Sequence, residues 1–92
     1  MTKFEVLLSE TARRQLKGLP SNMQERVKKA LAELYDDPYR SRPKADIRKL
    51  KGPNRDYYRI RIGNYRAIYI VDGKNVMVAK ILPRSSAYKW LD

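Results

Sequence analysis

Tyr57-Tyr58-Arg59-Ile60-Arg61-Ile62-Gly63-Asn64-Tyr65-Arg66-Ala67-Ile68-Tyr69-Ile70-Val71 is the stretch that decides the fold. Its first half alternates, and a two-residue period puts Arg59 and Arg61 on one face and Tyr58, Ile60 and Ile62 on the other. Gly63-Asn64 reads as a two-residue hairpin loop. That loop length pairs Ile62 with Tyr65, and therefore Arg61 directly with Arg66 across the strands. Arg59, Arg61 and Arg66 then share one face, while Tyr58, Ile60, Ile62, Tyr65, Ala67 and Tyr69 form the apolar one. Like charges side by side on a strand cost stability. A fold that accepts this cost presents a rigid cationic surface to a polyanion, and RNA or DNA is the commonest such partner.

Outward from the hairpin, Ile47 to Lys51 reads as a strand before the Gly52-Pro53-Asn54 turn. Val76 to Leu82 reads as a last strand after Asp72-Gly73-Lys74-Asn75, ended by Pro83, which has no N–H for the ladder. Upstream, Lys3 to Leu8 alternates as a first strand with Phe4, Val6 and Leu8 inward. Ser9 offers an N-cap to a short helix carrying Ala12, Leu16 and Leu19, and Gly18-Leu19-Pro20 breaks it. Ser21 to Gln24 has capping-box spacing, and Met23, Val27, Ala30, Leu31 and Leu34 make one apolar stripe of a second, longer helix stopped by Asp36-Asp37-Pro38. Tyr39 to Lys44 is a basic loop, and Ser85 to Asp92 a short tail. The expected fold is α+β, in the order β-α-α-β-β-β(-β). Its N-terminal helical hairpin packs on one face of a small antiparallel-rich sheet and leaves the other face open.

Charge is concentrated where the arginines are. Ten Lys or Arg residues lie between Arg40 and Arg66 against Asp46 and Asp56, an excess of eight out of the whole chain's +11. Focused excess of this kind suits a docking surface better than general solubility. The 92 residues are 42% hydrophobic, enough for a single compact domain over residues 1–92. The absence of Cys excludes disulfides and zinc-thiolate sites, and the absence of His removes the usual acid/base at neutral pH. There is no apolar leader at the N-terminus and no run long enough to span a bilayer, which gives the expectation of a soluble, cytoplasmic chain without membrane contact. Asp36 beside Asp37 reads as a helix stop rather than a metal pair. Tyr57, Tyr58, Tyr65 and Tyr69 are assigned to core and strand pairing, and Arg13, Arg14, Lys17, Lys28 and Lys29 to a solvated helix face.

The succession Leu50-Lys51-Gly52, Tyr58-Arg59-Ile60-Arg61-Ile62, Tyr65-Arg66-Ala67-Ile68-Tyr69, then Arg84 followed by Tyr88, resembles the RelE/ParE superfamily of bacterial and archaeal toxins over nearly the whole chain. Within that family RelE-like members are ribosome-dependent endoribonucleases that cut messenger RNA in the decoding site and are held inactive by a wrapping antitoxin. ParE-like members share the fold but poison DNA gyrase. The resemblance implies catalytic positions at Arg59, Arg61, Arg66, Arg84 and Tyr88. Arg48, Lys49, Lys51, Arg55 and Lys80 are the candidate RNA-binding cations. Better-known bacterial members carry lysines where this chain has Arg59 and Arg61, and the tail after Tyr88 is short.

Cleavage by the 2′-hydroxyl needs a base, stabilisation of the five-coordinate phosphate and a proton for the leaving 5′-oxygen. Permanently charged guanidinium forks serve the second need and not the first, since arginine is not deprotonated in proteins. Proton transfer then falls to Tyr88, with Lys49, Lys51, Lys80 and the remaining tyrosines as other candidates. Such a catalyst gains from a ribosome that fixes the message in line. The expected function is therefore a toxin that cleaves messenger RNA on the ribosome with no cofactor or metal. Its expected partners are the ribosome, messenger RNA and an acidic RelB-like antitoxin that folds over the basic face. Operator DNA is met, if at all, through the antitoxin complex. The rival functions are gyrase inhibition and a non-catalytic basic ribosome- or nucleic-acid-binding module.

Overall fold

The computed structural model describes residues 3–86. Strand β1 (Glu5–Leu8) leads into helices α1 (Glu10–Lys17) and α2 (Ser21–Glu33), followed by strands β2 (Asp46–Lys51), β3 (Asp56–Ile62), β4 (Tyr65–Asp72) and β5 (Asn75–Pro83). One five-stranded sheet has the order β1-β5-β4-β3-β2, antiparallel except where β1 lies parallel to β5 at an edge. This is the expected α+β fold, both helices on one face. The chain beyond Pro83 continues as helix through 84–86; residues 87–92 of the proposed tail, Tyr88 and Trp90 among them, lie outside the described residues.

The central hairpin pairs Ile62 with Tyr65 and Arg61 with Arg66, as its loop length dictates. Gly63 has φ +59 while Asn64 keeps a negative-side φ, so the loop matches a type II′ turn, with glycine at the position that demands it. Period-two alternation then sorts the side chains. Ile47, Ile60, Ile62, Ala67, Tyr69, Val76, Val78 and Ile81 meet Ala12 of α1, Val27 and Leu31 of α2 and Leu34 at its C-cap in the core. Each fully buried aliphatic group contributes on the order of 1.5–3 kcal/mol against exposure.

One irregularity was not legible from the alternation. Ile68 pairs with Lys80 but Tyr69 with Val78, so Ala79 is the extra residue of a β-bulge. The bulge resets the alternation of β5, turning Val78 and Ile81 inward together and Lys80 and Leu82 outward. Helix α1 binds the disturbed backbone: the Ser9 hydroxyl donates to the Ala79 carbonyl at 2.6 Å and the Ile81 N–H to Gln15 Oε1 at 2.7 Å.

Two expectations at the helix ends need correction. Ser9 does cap α1, accepting from the Ala12 N–H at 3.0 Å. Ser21 does not cap α2, because Pro20 occupies the N-cap and its carbonyl receives Met23 and Gln24 N–H, both at 2.9 Å. Gln24 instead donates from Nε2 to the carbonyls of Leu19 and Lys17, at 2.8 and 3.2 Å, clamping the link between the helices. At the other end α2 stops at Glu33, earlier than the Asp36-Asp37-Pro38 boundary. There Arg42 folds back and donates to the carbonyls of Glu33, Asp37 and Arg40 at 2.7–2.9 Å. That arginine closes orphaned helix carbonyls and is structural.

Candidate functional site

The sheet face away from the helices collects charge at one end. Cross-strand partners share a face, so register alone places Arg59, Arg61 and Arg66 together with Arg48, which pairs with Arg59, and Asp46, which pairs with Arg61. Lys80 joins them through its pairing with Ile68. Ile68 is completely buried yet lies outside the helix-side core, so it and Leu82 give the cations an apolar floor. At the opposite end of the face Leu7, paired with Met77, is 42% exposed.

The guanidiniums are not equivalent. Arg59 donates from Nη1 to the carbonyl and carboxylate of Asp46, at 3.1 and 3.3 Å, and its side chain is only 18% exposed. Arg66 is buried at 8% exposure and donates from Nη1 to the carbonyls of Gly63 and Tyr65, at 3.0 and 2.9 Å, among other contacts. These bonds fix two cations against the turn and the β2 edge. Arg61 is exposed and, among the described residues, its side chain has no hydrogen bond or ion pair. Arg84 is exposed too; its backbone N–H donates to the Asn64 carbonyl at 2.8 Å, which brings it to the same turn as Arg66, just after Pro83 pairs with Tyr65.

Other expected positions fall elsewhere. Lys49 and Lys51 pair with Tyr58 and Asp56 and point to the side opposite the arginines. Lys49 Nζ meets Asp56 Oδ2 at 3.1 Å, and that hydrogen bond raises its pKa rather than lowering it, which removes Lys49 as a proton acceptor near neutrality. Arg55 lies in the β2–β3 turn, beside a cleft lined by Tyr39, Tyr58 and Asp72 at the far end of β3. Tyr69 is withdrawn as well: its hydroxyl donates to the buried Pro38 carbonyl at 2.7 Å, and burial pushes its pKa up. Tyr88 is outside the described residues.

Two residues of this face were overlooked. Tyr57 shares the parity of Arg59 and Arg61 and so belongs to the cationic side, not to the core; it pairs with Leu50. A Cβ on Gly52 would come within 2.8 Å of its ring, so the glycine admits the tyrosine. The alternation signalled this, but the aromatic character argued for burial. Asp46 is the second, and only the β2–β3 register reveals that it is the carboxylate that orients Arg59. Among the described residues no three or more carboxylates group together in a way that could hold a metal ion, and no helix is long and apolar enough to cross a membrane.

Similarity to known proteins extends over nearly the whole chain. A family model described as the ParE toxin of a type II toxin-antitoxin system, parDE, matches residues 6–88. Toxin RelE3 of Methanocaldococcus jannaschii is 35% identical over 87 residues, covering 95% of this chain and 98% of its own. In the RelE-RelB complex from Pyrococcus horikoshii OT3, the matched chain is 32% identical with a TM-score of 0.77, covering 89% of this chain and 96% of that one. In the RelB-RelE antitoxin-toxin complex from Methanococcus jannaschii the corresponding values are 32%, 0.72, 94% and 99%.

Proposed function

This chain belongs to the RelE/ParE superfamily as a RelE-like toxin of a type II toxin-antitoxin system, and from that premise we propose that it is a ribosome-dependent endoribonuclease that cuts messenger RNA. The observation that carries the reading is Arg61, exposed and uncommitted, set directly opposite Arg66 and beside an Arg59 already oriented by Asp46. In this mechanism the 2′-hydroxyl attacks the adjacent phosphorus, the O2′–P bond forms, and the P–O5′ bond breaks. Arg61 and Arg84 neutralise the charge that builds on the phosphate oxygens, and Arg59 and Arg66 set the local potential from fixed positions. A preorganised donor aimed at such charge is worth about 2.7–4 kcal/mol, and Arg61, which no side-chain hydrogen bond or ion pair among the described residues fixes, falls at the lower end of that range.

The proton from the 2′-hydroxyl passes to a base and another reaches the 5′-oxygen. With Lys49 and Tyr69 removed, the proton-transfer candidates on this side among the described residues are Tyr57 and Lys80, while the family pattern assigns the role to Tyr88. None is a strong base at neutral pH. Most of the rate must then come from positioning and charge, which supports a requirement for a ribosome that holds the message in line. The reaction is proposed to rely on guanidinium charge rather than on a bound metal.

A net charge of +11 needs masking when the toxin is idle. The relatives crystallised as RelE-RelB complexes support an acidic RelB-like antitoxin as that partner. The match to a ParE family model keeps gyrase inhibition as the second reading. Purified toxin is incubated with ribosomes stalled on a defined message and new 5′ ends are mapped, with a gyrase supercoiling assay in parallel. Cuts within the ribosome-covered codon that vanish in Arg84→Ala bear out the nuclease; gyrase inhibition without cuts overturns it.

A further inference from the structure

A second concentration of charge lies around the end of the sheet, where α2 and the β3–β4 turn enclose a cleft of about 600 Å3. Arg26 and Lys29 of α2, Lys44 of the α2–β2 loop and Arg61 of β3 surround it, and Glu33 is its one acidic residue. Glu33 is already engaged, its carboxylate 3.5 Å and its carbonyl 2.8 Å from Arg42 Nη2. Among the described residues none of the four cations has a hydrogen bond or ion pair of its side chain. Arg26 reaches across to the turn: a Cβ on Gly63 would lie 3.0–3.2 Å from its guanidinium. Four uncommitted cations around one concavity repel one another, and an anion relieves that repulsion.

The shape selects the kind of anion. The uncharged lining is Ala30, Ala32, Ile62 and Gly63, and Ile62 is buried at 5% exposure, so no large apolar side chain stands open in the cleft to receive the anchoring residue of a protein partner. A phosphodiester backbone needs no such slot; it needs spaced cations along a channel wide enough for the strand. Arg61 lines the cleft and also stands on the arginine face, so the two regions are continuous. We propose that the cleft is a second phosphate-backbone site, in which Arg26, Lys29 and Lys44 grip RNA that runs on past Arg61. That the polyanion is RNA rests on the function proposed above; that the cleft binds phosphates rests on its own geometry.

The test compares the wild-type chain with an Arg26→Gln/Lys29→Gln/Lys44→Gln variant, binding a short fluorescent single-stranded RNA, by anisotropy over a roughly tenfold range of salt. All three positions are exposed, and a melting curve checks folding. Each lost contact to a single strand removes about 0.7 from the log-log salt slope. Three lost contacts therefore make the wild type lose about 100-fold more affinity than the variant across that range. Arg13→Gln/Lys17→Gln/Lys74→Gln, of equal charge change on α1 and the β4–β5 turn, is expected to keep the wild-type slope. Equal slopes for the cleft and control variants overturn the proposal, as does a loss seen with a polyglutamate peptide but not with RNA. Isolated RNA binding needs neither ribosome nor cleavage. A chain that shows the slope change but never cuts refutes the nuclease alone, and one that cuts with an unchanged slope refutes the cleft alone.

Discussion

Replacing Arg61 with glutamine should separate activity from stability. Arg61 lies opposite Arg66 and two residues from Arg59, while Asp46, its partner on the other strand, commits its carboxylate to Arg59 at 3.3 Å. The substitution therefore removes like-charge contacts and breaks no bond found among the described residues. Cross-strand pairs are worth roughly 0.2–1 kcal/mol, so relief of repulsion stabilises the variant by up to about 1 kcal/mol. In a domain of this size that raises the melting temperature by about 1–8 °C. The gain should shrink in about 1 M salt, where the Debye length falls to about 3 Å. Cleavage on ribosomes should meanwhile fall by about 100-fold, the lower end of the effect of losing one transition-state donor, because no side-chain hydrogen bond or ion pair among the described residues preorganises Arg61. Thermal melting at low and high salt, with single-turnover cleavage of a defined message, measures both. A melting temperature lowered by several degrees would show that Arg61 is structurally engaged, and cleavage within a few-fold of wild type would remove it from the chemistry.

Tyr69→Phe leaves the buried Pro38 carbonyl without its 2.7 Å partner and should cost about 1–3 kcal/mol, read as a lower midpoint in urea. Because the folded-state pKa of Tyr69 is raised by burial, its contribution is fully present below the ordinary tyrosine value of about 10 and is lost as pH climbs beyond it, by about 1.4 kcal/mol per pH unit. Stability curves of wild type and variant should therefore converge in alkali, and parallel curves would contradict the burial. Gly63→Ala forces a side chain into φ +59 and should destabilise by about 1–3 kcal/mol in thermal melts; a neutral effect would mean that the turn has another geometry. Asp37 accepts the Tyr39 and Arg40 N–H groups at 2.8 and 3.1 Å, and the first of these leads the lowering of its pKa. Its stabilisation is present above the usual aspartate range and is lost as pH falls through the depressed folded value, so Asp37→Asn should flatten acid denaturation below about pH 4. An unchanged acid limb would exclude Asp37 as a contributor.

The hairpin was legible because two constraints met in one stretch. Alternation assigned faces, and a two-residue loop fixed the register that opposes Arg61 to Arg66. The fold followed from that core and from the two helical stripes. Where one constraint acted alone, the reading slipped. Lys49 and Lys51 were expected from the family resemblance as supporting cations, but the β2–β3 register pairing Lys51 with Asp56 turns them away from the arginines. Asp46 could not be seen as the orienting group of Arg59 for the same reason. Tyr57 was misassigned although its parity was plain, because aromatic bulk was taken as a sign of core. The capping box at Ser21 failed because Pro20 filled the cap first, and the Ala79 bulge left no mark in the pattern. Charge density was only a partial guide to the site: Arg42 serves a helix end and Lys49 an ion pair, while Arg26 and Lys29, on an otherwise balanced helix, stand in a cleft that exists only once α2 is laid against β3.

Fixed arginines that stabilise attack by a 2′-hydroxyl make one demand that no other arrangement of the reaction shares, namely that the hydroxyl be present on the nucleotide just before the cut. Ribosomes programmed with a message carrying a single 2′-deoxy substitution at that nucleotide test it. Cleavage should disappear there while the all-ribose message is cut to a 5′-hydroxyl fragment. A deoxy-substituted message cut at the same bond, or a 5′-phosphate on the downstream product, would show that another nucleophile attacks the phosphorus.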